Sequence, residues 1–345
     1  MKTLTKQIKS IIIVLCALVF LAHGQSIERQ VIASSGNTIS NSTVQLDFTL
    51  GEMIVGDVSN SNVVLNQGFH QGTIQVAITI NPIVYLKGPL SGSLMNDDLR
   101  VKNYLPTTSP YSDNLTCNSS VFNTGGTSGS GLDNDNIVDW MWVELRDANN
   151  NTTAISRRSG LLQRDGDIVD IDGVSDLTFN APSGDYFIVI KHRNHLGVMT
   201  ENTVSLSEVL TIVDFTDVNT PITFGTNAQA ITVGTNNVFA MWSGDTSQDG
   251  KLNYLGANSD VSPVRSQVFG DPDNSVFGGP PVANYLSKGY FASDVNMDGF
   301  TAYLGVLSDV LDIRNNIFSH PSNSVFGGPP VATYIFTQQL PEGGN

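Results

Sequence analysis

A segment of 49 residues occurs twice near the end of this chain and constrains its fold more than any other feature. The first copy contains GDTSQDGKLNYLGANSDV from Gly244, and the second contains SDVNMDGFTAYLGVLSDV from Ser293. Each copy continues into a nearly identical arm, NSVFGGPPVANY from Asn274 and NSVFGGPPVATY from Asn323. The repeated unit is therefore a polar loop, a short segment and a Gly-Pro-Pro arm, which predicts two copies of one small supersecondary structure.

Oxygen-bearing side chains occupy alternate positions in both loops and are followed by a glycine. They are Asp245, Ser247, Asp249 and Gly250 in the first loop, and Asp294, Asn296, Asp298 and Gly299 in the second. Such side chains can surround one hard cation while the glycine adopts a positive φ, and the next residue offers its backbone carbonyl. The pattern predicts two Ca²⁺ sites, with Lys251 and Phe300 as carbonyl ligands.

Both loops depart from the EF-hand pattern at position 12, where Gly256 and Gly305 replace the bidentate acid. An aspartate follows four residues later in each copy, Asp260 and Asp309, within a shared YLGxxSDV string. Residues four apart share one face if the chain coils here, so these aspartates are the expected closing ligands. We expect a calcium affinity of about 10⁻⁵ to 10⁻³ M. The alternative is a pair of metal-free turns, because Asp, Asn and Gly also favour turns.

The first 24 residues have the pattern of a cleaved export signal. Lys2, Lys6 and Lys9 precede an apolar run from Ile11 to Ala22, which is shorter than a typical membrane span. The whole chain has 17 Lys and Arg against 32 Asp and Glu, a net charge of −15. Such a surface disfavours nucleic acid and anionic membranes and favours divalent cations. We therefore expect a secreted or cell-surface protein with no membrane span in the mature chain.

Short alternating strands between Gly, Asn and Ser turns predict a mainly β fold. We expect a signal at 1–24, an N-terminal β segment at 25–75, a β-sandwich domain at 76–242 and a duplicated domain of calcium loops and short helices at 243–345. The repeat helices are expected near Ser262 to Phe269 and Asp309 to Phe318. The strongest strand candidates of the sandwich are Ile83 to Leu86, Ile137 to Arg146, Asp167 to Ile171, Leu177 to Phe179, Tyr186 to His192, Val209 to Phe215 and Val238 to Trp242.

Several strings resemble known secreted proteins. LDFTLGE and LNQGFHQ, between residues 46 and 71, are similar to a segment of secreted Bacteroidetes proteins, particularly cargo of the type IX secretion system. VYLKGPLSG, IVDWMWVELRD, RRSGLLQRDGDIVDIDG, YFIVIKHRNHLGVMT, FGTNAQ and MWSGD, with the loops after them, resemble an uncharacterised Bacteroidetes module that is sometimes labelled hemagglutinin-like. That module joins a β domain to dockerin-like or thrombospondin-type-3-like calcium loops. The resemblance implies calcium at Asp245, Ser247, Asp249, Asp260, Asp294, Asn296, Asp298 and Asp309.

Other residues with chemical potential each have a structural interpretation that we favour. His192 and His195 offer two imidazoles, whereas zinc needs three or four ligands. Cys117 has no adjacent basic residue and is expected to be an inert thiol. Four acids are candidates for glycoside hydrolysis or for a third calcium site: Asp165, Asp167, Asp170 and Asp172. The apolar residues between them instead predict a hairpin. Three tryptophans are candidates for a sugar platform, but their place within apolar strands favours buried packing: Trp140, Trp142 and Trp242.

These features favour an exported, non-enzymatic structural or adhesive protein in which calcium rigidifies the C-terminal repeats. The expected partner is a cell-surface protein or a glycan, and nucleic acid is excluded by charge. The alternative is a carbohydrate-binding or dockerin-like accessory module of an extracellular enzyme system. It requires exposed aromatic residues on a sheet face or an uncovered apolar face on the repeat. A hydrolase is least favoured, because no nucleophile, base and oxyanion motif is assembled.

Overall fold

The protein forms two compact units, residues 1–74 and 75–345, in a computed structural model. The predicted boundary between residues 242 and 243 lies inside the second unit. The predicted signal at 1–24 lies outside the described residues. No helix in the described part of the chain is long and apolar enough to cross a membrane. The described residues are 77–125, 133–232, 237–275, 278–324 and 327–341, together with the backbone of four strands at 37–40, 45–48, 57–60 and 63–66.

The fold is mainly β, as the sequence predicts. The helices are α1 Asp98–Val101, α2 Val261–Gly270 and α3 Asp309–Ser319, with 3-10 turns at Ser119–Phe122 and Asp133–Asp135. The strands are β1 Asn37–Ser40, β2 Gln45–Phe48, β3 Asp57–Asn60, β4 Val63–Asn66, β5 Ala77–Ile83, β6 Leu90–Ser91, β7 Leu94–Met95, β8 Ile137–Asp147, β9 Asn150–Gln163, β10 Ile168–Val169, β11 Leu177–Asn180, β12 Gly184–His192, β13 His195–Met199, β14 Val204–Leu206, β15 Thr211–Asp214, β16 Gln229–Thr232, β17 Val238–Met241, β18 Lys251–Asn253, β19 Leu286–Lys288, β20 Phe300–Ala302 and β21 Ile335–Thr337.

Two sheets enclose the main core of the second unit. The larger sheet has the order β10-β9-β8-β12-β13, with β14 also paired to β12, and the smaller sheet has the order β11-β5-β15. Alternate residues of the strands point to one face, and apolar side chains from both sheets share one buried cluster. That cluster includes Ile78, Ile80, Val143, Leu145, Leu177, Phe179, Ile188, Ile190 and Val213. In the first unit, β1 pairs with β2 and β3 with β4, both antiparallel.

Two of the strand assignments need correction. The strand expected at Ile83 to Leu86 is wrong, because β5 ends at Ile83 and begins six residues earlier. The 14-residue β9 was not expected from the sequence, since its Asn, Thr, Ser and Arg residues have a loop-like composition. It nevertheless pairs along its length with β8 and lies between β8 and β10 in the larger sheet. Pairing with β8 therefore outweighs the weak strand propensity of β9.

The two repeats exchange strands. The loop strand β18 of the first repeat pairs with β21, which follows the arm of the second repeat. The loop strand β20 of the second repeat pairs with β19, which follows the arm of the first. Lys251 lies opposite Thr337, and Phe300, 49 positions after Lys251, lies opposite Lys288. Each repeat is thus completed by the other.

The helices of the repeats lie at the expected positions and bury equivalent residues. Val264 and Val268 of α2, and Ile313 and Ile317 of α3, are completely buried. Their cluster also contains Leu196 and Trp242 from the β region, together with Leu252, Val295 and Phe336. The β region and the repeats therefore share apolar packing within one unit.

A buried asparagine joins each helix to its arm. In the second repeat, Nδ2 of Asn323 donates to the carbonyls of Ile317 (2.7 Å) and Val331 (3.0 Å). Its Oδ1 accepts from the N–H of Val331 at 3.0 Å. Asn274 makes the equivalent bonds in the first repeat, and both asparagines are 1% exposed.

Replacing Asn323 by alanine is expected to lower the free energy of unfolding by about 1–3 kcal/mol, because buried backbone groups lose their partner. Urea unfolding followed by circular dichroism measures the change. Asn274→Ala should give a similar loss, whereas Asn123→Ala, at an exposed position, should stay within about 0.5 kcal/mol of the parent. Equal stabilities of Asn323→Ala and Asn123→Ala would contradict this role.

Candidate metal centres

The first loop is closed around the carboxylate of Asp245. Oδ1 of Asp245 accepts from the N–H of Asp249 (3.1 Å), and Oδ2 accepts from the N–H of Gly250 (3.0 Å). Gly250 has φ +73°, as expected for the glycine of this turn. Gln248 also has a positive φ, +60°. The backbone therefore wraps one side of this acid.

A second carboxylate reaches the same loop from the start of α2. Oδ1 of Asp260 accepts from the N–H of Ser247 (3.1 Å), and Oδ2 accepts from the N–H of Asn253 (2.7 Å). Asp260 is completely buried, and it contributes to the electrostatic repulsion felt by Asp245. The structure thus places the aspartate four residues after the loop glycine against the loop.

The second loop repeats this arrangement. Asp294 accepts from the N–H groups of Asp298 (3.1 Å) and Gly299 (2.8 Å). Asp309, the first residue of α3, accepts from the N–H groups of Val295 (2.5 Å) and Ala302 (2.7 Å). The bond to Val295 is displaced by one residue relative to the bond that Ser247 makes in the first loop. Otherwise the two loops use equivalent atoms.

Burial and mutual repulsion make these carboxylates costly in their charged form. Burial, then the charge of Asp260, raises the pKa of Asp245 to about 7. Burial raises the pKa of Asp260 to about 6, although hydrogen bonds from Asn253 and Ser247 oppose the shift. In the second loop, burial raises the pKa of Asp294 to about 7, although Arg193 opposes the shift. Burial and Asp294 raise the pKa of Asp309 far above its usual value. A bound cation would relieve this cost.

The remaining predicted ligands shape the turns. Oδ1 of Asp249 accepts from the N–H of Lys251 (3.0 Å), and Oδ1 of Asp298 accepts from the N–H of Phe300 (2.9 Å). Oδ1 of Asn296 accepts from the N–H of Asp298 at 3.0 Å. Within the described residues, no group of three or more His, Cys, Asp or Glu side chains is positioned to hold a metal ion. A cation would therefore need Asp249 or Asp298 to turn toward the paired acids of its loop, together with amide, hydroxyl or backbone oxygens.

One further oxygen in the first loop was missed by the sequence analysis. Asn253 is 5% exposed, and its Oδ1 is buried with no hydrogen-bond partner among the described residues. Asn253 lies at position 9 of the loop counted from Asp245, a position that supplies ligands in EF-hands. Counting to position 9 would have identified it. The equivalent residue of the second loop is Ala302, which has no side-chain oxygen.

Asn194 links both loops to the β region, and the sequence analysis did not identify it. Its carbonyl accepts from the N–H groups of Gly244 (2.8 Å) and Asp245 (3.1 Å) at the first loop. Its side-chain Nδ2 donates to the carbonyl of Asp294 (2.6 Å) at the second loop. Asn194 is completely buried. The only sequence signal is a polar KHRNH string between two apolar strands.

The two histidines beside Asn194 belong to a buried hydrogen-bond network. The backbone N–H of Gly88 donates to Nε2 of His195 at 3.2 Å, so the proton of this ring lies on Nδ1. Nδ1 of His195 lies 2.8 Å from Oδ1 of Asn194 and 3.0 Å from Nδ1 of His192. Nε2 of His192 then donates to Oδ2 of Asp139 at 3.1 Å. Because each ring nitrogen has a partner, the structural interpretation of this pair is favoured over a zinc site.

Asp139 is the anion at the centre of this network. It also accepts hydrogen bonds from Nε of Arg193 (2.9 Å), from the hydroxyl of Tyr290 (2.6 Å) and from the backbone N–H of Trp140 (2.7 Å). Arg193 in turn donates to the carbonyl of Phe291 in the repeat region. Asp139 therefore joins the larger sheet to the segment that leads into the second loop.

Comparison with protein families, with curated proteins and with solved structures finds no match. The resemblance to secreted Bacteroidetes modules accordingly stays a prediction. The assignment of a function therefore depends on the geometry of the loops and of the surfaces around them.

The other candidate groups favour structural roles. Burial raises the pKa of the Cys117 thiol, which makes it a weak nucleophile. Asp170 forms an ion pair with Arg158, and Asp172 accepts from the N–H of Val174 at 3.0 Å. Burial raises the pKa of Asp165 and Asp167. Trp140 and Trp242 are 0% and 2% exposed, which favours packing over a sugar platform, whereas Trp142 is 7% exposed and lines a cleft.

Proposed function

We propose that this is an exported, non-enzymatic structural or adhesive protein whose C-terminal repeats bind two calcium ions. The observation that carries the proposal is the duplicated pair of buried carboxylates, Asp245 with Asp260 and Asp294 with Asp309. Turn propensity alone gives no reason to bury two acids side by side, with raised pKa values, in two loops of the same register. A divalent cation gives that reason.

Each ion would be held by its loop and by the first turn of the following helix. The first site would use Asp245, Ser247, Asp249, Asp260 and the carbonyl of Lys251, with Asn253 as an additional oxygen. The second site would use Asp294, Asn296, Asp298, Asp309 and the carbonyl of Phe300. Oxygen ligands of this kind suit calcium. Calcium would neutralise the paired acids and fix each loop against its helix.

The consequence of binding would extend beyond the loops. Asn194 contacts both loops. Its neighbour Arg193 bonds to Asp139 of the larger sheet, and its neighbour His195 accepts from the N–H of Gly88. Rigid loops would therefore hold the β region and the repeats in one arrangement. This suits a protein that presents a surface to a cell-surface protein or a glycan outside the cell.

A second candidate is an accessory module that docks onto an extracellular enzyme system. It is favoured by apolar side chains that are exposed at the end of the second loop and in the first turn of α3. Leu304 is 51% exposed and Val306 is 98% exposed, and Leu307 and Leu311 are also exposed. Exposed apolar groups of this kind mark interaction sites. A pull-down with a candidate partner, repeated with Val306→Asp, would separate this function from the first.

Calcium titration by calorimetry tests the main proposal. We expect two binding events in the mature protein and none in an Asp249→Ala/Asp298→Ala double variant. Calcium at about 100 times the dissociation constant should add about 2.7 kcal/mol per site to the free energy of unfolding. The control is Asp273→Ala, which removes an exposed acid of the same region and should bind normally. The absence of binding to the unmodified protein would refute the proposal.

A further inference from the structure

A cleft lies between the larger sheet and the first loop, and Asp245 of the first carboxylate pair forms part of its wall. Its volume is about 770 Å³, within the range of small-molecule sites. The sheet contributes Trp142, Arg157 and Lys191, and the loop after α1 contributes Tyr111. The other walls include Arg193 and Tyr290, with Gln248, Asp249 and Gly250 at the first loop.

The strand register explains why the cationic side chains meet here. Glu144 of β8 lies opposite Arg157 of β9, and Trp142 of β8 lies opposite Lys191 of β12. Residues 142 and 144 are two apart on one strand, so their side chains share a face. That face is opposite to the one that carries Val143 into the main core. The register therefore places an aromatic ring and two cations on the outer face of the sheet.

Three cations in one cleft are unusual in a chain with a net charge of −15. Arg157 is exposed and makes no hydrogen bond or ion pair with any other described residue. Lys191 Nζ lies 3.7 Å from Oε1 of Glu144. Arg193 is 7% exposed, and its Nη2 is buried without a hydrogen-bond partner among the residues that the structure describes. An unmade hydrogen bond at a buried donor is costly, and an oxyanion in the cleft would supply an acceptor directly or through water.

Aromatic rings line the same cleft. The rings of Tyr111 and Trp142 lie 5.6 Å apart between centroids, at an angle of 36°. Arg193 stacks over the ring of Tyr290 at 4.2 Å. The accessible parts of these rings offer apolar surface to a ligand, and Arg beside them offers a fork of donors to a carboxylate. The cleft thus combines a ring-binding wall with an anion-binding wall.

We propose that this cleft binds an acidic sugar, with the carboxylate at Arg157, Lys191 and Arg193 and the sugar ring against Tyr111 and Trp142. The ligand class deepens the adhesive role proposed above, and only its calcium dependence rests on the calcium sites. Asp245 and Asp249 also face the cleft and repel an anion. Calcium in the first loop would cancel that repulsion and strengthen sugar binding through linkage.

The test uses three probes with the full mature chain: glucuronate, glucose and acetate. Glucuronate has both the ring and the charge, glucose has the ring alone and acetate has the charge alone. Calorimetry and tryptophan fluorescence report binding, each with and without calcium. We expect glucuronate to bind at least tenfold more tightly than either of the other probes, and more tightly with calcium than without.

The Arg157→Gln variant should weaken glucuronate binding about tenfold or more, the effect of one charge-assisted hydrogen bond. Arg157→Lys should retain part of the affinity. The control Arg265→Gln removes an exposed cation on α2 that does not line the cleft, and should leave binding unchanged. Circular dichroism of each variant excludes a loss of fold.

Equal affinities for glucuronate and glucose, no saturable binding of any probe, or equal effects of Arg157→Gln and Arg265→Gln would each overturn the proposal. Glucuronate binding that depends on Arg157 in a protein that binds no calcium would support the sugar site and refute the calcium sites. Calcium binding without glucuronate binding would support the calcium sites and refute the sugar site. The two proposals therefore fail separately.

Discussion

Replacing Asp139 by asparagine is expected to lower the free energy of unfolding by about 3–5 kcal/mol, because the buried Arg193 loses its counter-ion. The new amide also presents N–H donors to a site where Arg193, His192 and Tyr290 already donate. Urea unfolding at neutral pH, monitored by tryptophan fluorescence, measures the loss. Arg193 also contacts Phe291, so the loss should extend to the repeat region.

The same substitution has a predictable pH dependence. Burial alone would raise the pKa of Asp139, but Arg193 and His192 outweigh it and lower the pKa to about 2. The carboxylate therefore contributes stability above its unfolded pKa of about 3.9, and this contribution is lost as the pH falls through about 2. The difference between the parent and Asp139→Asn should shrink over that window. Glu201→Gln, at an exposed position, should leave stability unchanged, and a loss of similar size there would contradict our account.

Gly88→Ala is expected to lower the free energy of unfolding by about 3 kcal/mol, the upper end of the cost of overpacking. A Cβ at this position would lie 2.1 Å from the carbonyl oxygen of Val295 and 3.3 Å from Cα of Asn296. Both atoms belong to the backbone of the second loop, which would have to move away from the β region. That movement would also strain the bond from the Gly88 N–H to His195. Thermal and urea unfolding of the variant test the stability.

Calcium binding gives this prediction a second readout. Displacement of the second loop should weaken one of the two proposed binding events and spare the other. Gly270→Ala provides the control, because a Cβ at that position would meet nothing within 4 Å. A Gly88→Ala protein as stable as Gly270→Ala would show that the loop of Gly88 does not hold the second repeat.

The sequence predicts the repeats far better than the β region. Duplication of YLGxxSDV and of the arms fixes the period, and the positions of α2 and α3 follow from it. Glycine at loop position 6 correctly predicts the positive φ of Gly250 and Gly299. The sequence could not reveal which strands pair, because pairing joins residues that are distant along the chain. The exchange between β18 and β21 is of this kind.

The other features that the sequence did not predict have a common physical origin. β9 carries polar residues on both faces over its first half and has no apolar alternation to reveal it. The roles of Asp139 and Asn194 depend on partners 50 to 151 residues away, such as Gly244 for Asn194 and Tyr290 for Asp139. Sequence reasoning weighed His192 and His195 as possible ligands, since it had no means to see that each ring nitrogen is already bonded. Burial of polar residues is therefore the property that local patterns fail to predict here.

Strand exchange between the repeats also limits how such a region can grow. In a linear array each new unit stacks on the previous one, so units can be added singly. Here β18 and β20 each take their partner from the other unit, and the pair closes on itself. The arrangement is that of two intertwined subunits fused into one polypeptide. A third 49-residue unit inserted between the copies would bring one loop strand and one arm strand of its own, but the β18–β21 pairing that closes the present pair would have to open to admit it.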